Sequence, residues 1–209
     1  RPGEATGSGA ALSEESVDVF DEVYARNAAQ QTSSGITSSD GPFYREVPTE
    51  ELEGAAVADR FYEASYDSIL IAMIEHVVES EGPILDAVLA RRISRAHQWQ
   101  RTGSRIQERV EAIARQRFKT SEEGVGTFYW PRALPPGSPV AFRRPLEDQQ
   151  RSIDEVCMPE LQALAQMCHD PVNTDDENLV SMARALGIQR LRAASRVRLE
   201  EALRAVNNG

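Results

Sequence analysis

Lysine is almost absent from this chain: Lys119 is the one lysine in 209 residues. A Walker-type phosphate loop needs Gly-x4-Gly-Lys-[Ser/Thr], because backbone amides and the ammonium together neutralise the phosphates. Lys119-Thr120 follows Gln116-Arg117-Phe118 with no glycine turn. Restriction-type nuclease strands pair acidic metal ligands with a nearby acid-x-Lys, and residue 117 is arginine. A Schiff base would have Lys119 as its sole amine. Histidine (His76, His97, His169) and cysteine (Cys157, Cys168) are also scarce. Zinc sites use close pairs such as Cys-x2-Cys with a second pair downstream; Cys168-His169 are adjacent and Cys157 stands alone. Two cysteines build no disulfide framework, so a reducing cytoplasm is expected. No Gly-x-Ser-x-Gly elbow occurs, and no apolar run approaches the roughly 18 residues of a membrane span. These absences predict a non-catalytic chain with no cofactor, no metal, no membrane partner and no small-molecule ligand. Arg1-Pro2-Gly3-Glu4 has neither an initiator Met nor an apolar leader, so a piece of a longer protein is expected.

What is present is charge, unevenly placed. The net charge of −10 at face value argues against nucleic acid. Residues 1–88 hold four basic side chains against eighteen acidic ones, a balance of −14. Residues 89–119 hold nine basic against two acidic, or +7, and residues 180–209 six against two, or +4. An acidic average therefore conceals two basic segments, the pattern of a localised electrostatic footprint, although arginine-rich helix faces are also commonly just solvated.

Four regions follow along the chain: an acidic segment over 1–63, a helical unit over 64–135, a Pro/Gly/Arg linker over 136–150 and a second helical unit over 151–209. In the first, residues 1–14 read as a flexible lead-in. Glu15 to Gln31 has Val17, Phe20, Val23 and Tyr24 at helical spacing, and a short helix is expected from Thr49 to Tyr62. Asp67 to Ser80 carries Ile69, Leu70, Met73, Ile74, Val77 and Val78 in the rhythm of a buried helix face. Gly82 is available for a left-handed helix cap and Pro83 for a new start. A second helix is expected from Ile84 to His97, with Arg91, Arg92 and Arg95 outward. A third, capped by Thr102 or Ser104, runs to Phe118. Phe118–Ser121 and Val125–Trp130 flank a Gly-containing turn and predict a β-hairpin.

Three helices and a hairpin follow the order of a winged helix-turn-helix, whose third helix lies in the DNA major groove. Helices return at Asp154–Cys168, Thr174–Leu186 and Ala194–Val206, and with them an internal repeat. Gln189-Arg190 answers Gln100-Arg101, and Ser195-Arg196-Val197 answers Ser104-Arg105-Ile106, at an offset of about 90 with about two extra residues in the second turn. The fold class predicted is mainly α with a small β-hairpin, built of tandem winged-helix or helix-turn-helix-like units, the second without a wing.

The runs Val77-Val78-Glu79-Ser80-Glu81-Gly82-Pro83-Ile84, Leu89-Ala90-Arg91-Arg92-Ile93 and Gln100-Arg101-Thr102-Gly103-Ser104-Arg105-Ile106 resemble an uncharacterised family, domain of unknown function 3320. Its members lie at the C-terminus of large bacterial superfamily-1 helicase-related proteins. Gly126-Thr127-Phe128-Tyr129-Trp130-Pro131 and Phe142-Arg143-Arg144-Pro145 extend the likeness, which covers Tyr66 to Pro145 well and the rest loosely. The resemblance implies a parent chain with a helicase core and often a repair-type nuclease. None of those catalytic motifs is present here. One departure stands out: Ala96-His97-Gln98-Trp99 replaces a Leu-Gly-aromatic turn.

Arg101, Arg105 and Arg109 are spaced by four, so on a helix they share one face. Ser104 and the helix-start amides can hydrogen-bond a phosphate, and arginine can read guanine. The nucleic-acid-binding set expected is Arg91, Arg92, Arg95, Arg101, Ser104, Arg105 and Arg109, with Arg192 and Arg196 from the second copy. The function expected is a DNA-binding accessory module of a helicase-related protein, with DNA and the parent's helicase and nuclease domains as partners. The alternative is a protein-interaction or autoregulatory module. In that case the acidic N-terminal helix (Val17, Phe20, Tyr24) docks on a neighbouring domain or masks the basic face. The plainer reading of Arg101 and Arg105 is that they pair with Glu108, Glu81 or the acidic first helix and anchor the N-terminal segment on the core.

Overall fold

Residues 41–207, the side chain of Ala194 excepted, are described by a computed structural model; the lead-in and the helix expected over 15–31 lie outside them. The region of the short expected helix is broken. Helix α1 covers only Thr49–Glu53, followed by 3-10 turns at Ala58–Arg60 and Ala64–Tyr66. Gly54 favours a stop, and Leu52, Phe61 and Tyr66, all buried, sit nine and five residues apart, which no single helix face accommodates.

Helix α2 (Asp67–Glu81) buries Leu70, Met73, Ile74, Val77 and Val78 as its periodicity predicts. Its stop is not a left-handed cap: Gly82 is extended, at φ −66° and ψ 156°. Glycine is needed there for space, since a Cβ would strike the Val78 carbonyl and lie 2.7 Å from Cδ of Pro131. The next segment divides. Ile84–Leu85 forms a short strand, β1, and helix α3 starts only at Asp86 and ends at Ala96. Helix α4 (Ser104–Arg117) follows, with Gly103 as its N-cap and no side-chain cap from Thr102 or Ser104. Strands β2 (Lys119–Glu123) and β3 (Gly126–Trp130) complete an antiparallel sheet in the order β1-β3-β2. Ile84 pairs with Tyr129 and Leu85 with Phe128, a contact that draws β1 out of the expected helix. Gly126, at φ +142°, lets the Asp86 carboxylate approach and accept the Thr127 N–H at 3.0 Å.

The C-terminal half is helical: α5 (Met158–Cys168), α6 (Asp175–Ala185) and α7 (Ala193–Asn207). Thr174 and Glu177 form a capping box at the start of α6, which satisfies otherwise orphaned N–H groups. Phe142, Ile153, Leu161, Leu164, Leu179, Met182, Leu199 and Leu203 lie in the second core. The intervening segment is not a loose linker. Val140 enters the first core and Phe142 the second. The part of the acidic segment over 47–61 also joins the first core, through Val47, Leu52 and Phe61.

A buried polar network crosses this junction. Glu160, fully buried on α5, accepts from Arg151 at 2.6 and 3.0 Å and from Arg143 at 2.7 Å. Burial alone would raise the Glu160 carboxyl; the hydrogen bonds and charge of Arg151 and Arg143 hold it below the usual range. Arg143 also donates to the carbonyls of Glu81 and Gly82, and both guanidiniums lie over the Tyr44 ring. Tyr44 in turn donates to Glu81, whose carboxylate is held by Arg92.

Helices α3 and α6 end alike. In each, the residue two past the helix is left-handed, Gln98 at φ 61° and Gly187 at φ 74°. Gln98 N–H donates to Arg95 O and Trp99 N–H to Ser94 O; Gly187 N–H donates to Arg184 O and Ile188 N–H to Ala183 O. This is the Schellman pattern, which favours glycine at the left-handed position. The connections, 97–103 and 186–192, are equal in length, so the second turn has no extra residues.

Two stability predictions follow. Gln98→Gly raises the chain's unfolding free energy by about 0.5–1 kcal/mol, and Gly187→Ala lowers it by about 1 kcal/mol. Glu160→Ala, which strands two guanidiniums, costs about 3–5 kcal/mol; equilibrium unfolding of each variant measures both.

Candidate nucleic-acid interface

The nine side chains expected to contact nucleic acid sort into two groups. Arg92 is interior, 5% exposed, with Glu81 at 3.1 Å and Glu46 at 2.7 Å. Arg91 pairs with Glu155 at 2.7 Å. Arg109 donates to Asp67 at 2.5 Å and to the Glu63 carbonyl, and Arg196 is held by Asp176 and by Glu200. These four bind the protein to itself. An outward-facing periodicity cannot distinguish a side chain that meets solvent from one that meets the next element, and that is why the sequence placed them together with the rest.

Arg95, Arg101, Ser104, Arg105 and Arg192 are exposed. None of the four arginines among them makes an ion pair within the described residues. Arg101 is not on the helix face with Arg105 and Arg109, because α4 begins at Ser104 and Arg101 belongs to the connection before it. Arg105 lies over the half-exposed ring of Tyr62, 5.0 Å from its centroid. A groove of about 520 Å³ between α2 and α4 is lined there by Tyr62, Asp67, Ile71, Arg105, Glu108 and Ala112, among others.

The connection is anchored from below. Trp99 stacks on His97 at 5.0 Å, and Phe61 meets both rings edge-on. Nδ1–H of buried His97 donates to the Ile93 carbonyl at 2.7 Å, and Nε2 lies 2.9 Å from the Tyr66 hydroxyl, which also reaches the Ala55 carbonyl at 3.2 Å. Burial pushes the His97 pKa down, against the opposing pull of the Ile93 carbonyl. The sequence places His97 only at a helix end; the aromatic spacing Phe61, Tyr66, Trp99 is the signal that points to this cluster.

The hairpin tip is occupied. Glu123 accepts from Arg198 at 2.8 Å and from the Met158 N–H at 2.8 Å, and Glu122 from Thr127 and Arg115. Glu123 thus ties the hairpin to the C-terminal helices. Burial pushes the Cys157 thiol up to about 12 and that of Cys168 up to about 11, so both stay protonated at neutral pH and are poor nucleophiles. Among the described residues, no cluster of three or more His, Cys, Asp or Glu could hold a metal ion, and no helix is long and apolar enough to cross a membrane.

Residues 59–108 match the model of a family described as a protein of unknown function (DUF3320). The match runs from the first 3-10 turn to the second turn of α4, and so takes in Arg95, Arg101 and Arg105 with their anchor. No curated protein and no solved structure matches the chain.

His97 gives a pH signature. A histidine whose folded pKa is depressed contributes stability at pH above the unfolded value of about 6.5, and loses it as pH falls toward the folded pKa. The unfolding free energy of the wild type, from urea titrations, should fall between pH 7 and 5.5, with a slope of at most about 1.4 kcal/mol per pH unit. In His97→Gln that slope should largely vanish; an equal slope in both proteins assigns it to other groups.

Proposed function

We propose that this chain is a non-catalytic nucleic-acid-binding module of two helix-turn-helix-like units, the first carrying a wing-like hairpin. It engages the phosphate backbone rather than reading bases. The observation that carries this reading is the set Arg95, Arg101 and Arg105, exposed and without ion pairs among the described residues around one rigid connection. Neighbouring arginines are turned to internal acids. Helix α4 starts beside them with uncapped N–H groups, which favours an anion. The order helix, strand, helix, helix, hairpin with sheet order β1-β3-β2 supports the winged-helix assignment. Because the hairpin tip is tied to α7 and α5, the wing is not the clamp. The resemblance to the C-terminal region of bacterial helicase-related proteins supports a place beside a helicase core, in the cytoplasm, as a positioning rather than a catalytic part.

Binding of the full chain to a labelled duplex and to a single strand, by fluorescence anisotropy from 50 to 200 mM salt, tests the proposal. Three phosphate contacts contribute about −2.7 to the log–log salt slope on duplex. Arg95→Ala/Arg101→Ala/Arg105→Ala should reduce the magnitude of the slope by about that amount. No binding to either substrate at 50 mM salt rejects the reading.

A second reading, autoregulation, is favoured by the charge of residues 1–40, which hold seven acidic side chains against Arg1 and Arg26. If that segment covers these arginines, neutralising Asp18, Asp21 and Glu22 to their amides in the full chain tightens DNA binding; unchanged affinity rejects it.

A further inference from the structure

We infer that the connection between α6 and α7 is a second phosphate-contacting turn, and that Arg190 is its counterpart to Arg101. The inference rests on the proposed nucleic-acid reading and adds a residue and a second point of contact to it.

A single register relates the two connections. Gln98 and Gly187, the left-handed residues, are 89 apart. So are the paired donors and acceptors of three hydrogen bonds: His97, Gln98 and Trp99 to Ile93, Arg95 and Ser94; Leu186, Gly187 and Ile188 to Met182, Arg184 and Ala183. Helices α4 and α7 begin 89 apart, at Ser104 and Ala193, as do α3 and α6, at Asp86 and Asp175. Burial keeps the same step: Ile93 and Met182, Val110 and Leu199, Ala114 and Leu203 are all interior. Each turn is held at the same position, since Trp99 packs on the first core and Ile188 on the second.

This register differs from the one that the serine–arginine pairs suggest. It sets Arg196 opposite Gln107 rather than Arg105, and Arg196 is held by Asp176 and Glu200. It sets Gln189-Arg190 on Gln100-Arg101, third and fourth of the helix-free residues after the cap. Arg101 and Arg190 are both exposed and make no ion pair among the described residues. Arg192, opposite Gly103, adds a second exposed cation to the C-terminal turn. A fixed backbone presents a guanidinium at a defined place, so less side-chain and loop entropy is lost on meeting a phosphate. The same presentation occurs twice, on turns with the same hydrogen bonds.

The test is the salt dependence of duplex binding by the full chain and by Arg101→Ala, Arg190→Ala, the double variant and Arg204→Ala. Arg204 is an exposed arginine on the far part of α7, about 16 Å along the helix from its start, and its loss changes net charge equally. Each turn variant should reduce the magnitude of the salt slope by about one, and the double variant by about two, with Arg204→Ala near wild type. An effect of Arg101→Ala with Arg190→Ala indistinguishable from Arg204→Ala overturns the second turn and leaves the first reading standing. An equal effect of all three single variants makes the contribution one of net charge and also overturns it. No wild-type binding at 50 mM salt overturns both readings.

Discussion

The convergence of Arg143 and Arg151 on Glu160 is the contact that makes two helical units one body. Its partners come from three stretches that the sequence separates widely: the strap carrying Tyr44, the end of α2 with Glu81, and α5. A carboxylate in an apolar core is costly unless nearly every lone pair finds a donor. Here two guanidinium forks and the Arg143 N–H supply them. Because Arg143 also donates to the carbonyls of Glu81 and Gly82 at the end of α2, a shift of α5 relative to α2 breaks several bonds together. Arg198, reaching from α7 to Glu123 and the Val156 carbonyl, adds a second tie between the hairpin and the C-terminal helices. The hairpin thereby becomes a strut between the two cores.

This internal use of arginine changes the meaning of the charge distribution. Residues 89–119 carry a balance of +7, but much of it is answered at close range by acids from the preceding 88 residues: Glu46 and Glu81 for Arg92, Asp67 for Arg109. The −14 of the first segment and the +7 of the second are therefore partly two halves of one set of contacts. What remains for an external anion is small and localised at a connection. The proposed phosphate contact draws on that remainder alone, and an interaction of this kind weakens as salt rises.

Much of the helical framework was legible because burial enforces period: α2 lies where Ile69 through Val78 places it, and α6 and α7 are within a residue or two of expectation. The hairpin was legible from Gly124 and its β-branched and aromatic flanks. Strand β1 was not, since two residues carry no period and Ile84-Leu85 suits either element until Tyr129 and Phe128 lie beside it. The break after α1 was hidden because Glu50, Glu51 and the alanines that follow all suit a helix locally; the tertiary demand from Phe61 and Tyr66 decides. At the candidate interface, composition located the basic region, yet it could not say which cations were spoken for. Partners such as Asp67 and Glu155 are 42 and 64 residues away from theirs, and a distance of that kind is set by the fold alone.

The scarcity of lysine belongs to the same logic. With Lys119 the only ammonium, the chain's 23 basic residues are otherwise arginine, and the junction shows what that chemistry permits. A planar guanidinium presents five donors in fixed directions, and Arg143 uses its own to hold a carboxylate and backbone carbonyls simultaneously. A point-charge ammonium in that place leaves acceptors unmet, so the interior network requires arginine specifically. Arginine abundance is then an architectural property first, and the count of arginines is a poor measure of nucleic-acid affinity. The informative cations are those the architecture does not require. Arg101 and Arg190 meet that description: each stands on a backbone fixed by its own Schellman turn, with no acid assigned to it among the described residues. The proposed phosphate contact draws on that placement: a guanidinium held out by a fixed turn meets an anion at less entropic cost than one on a mobile loop.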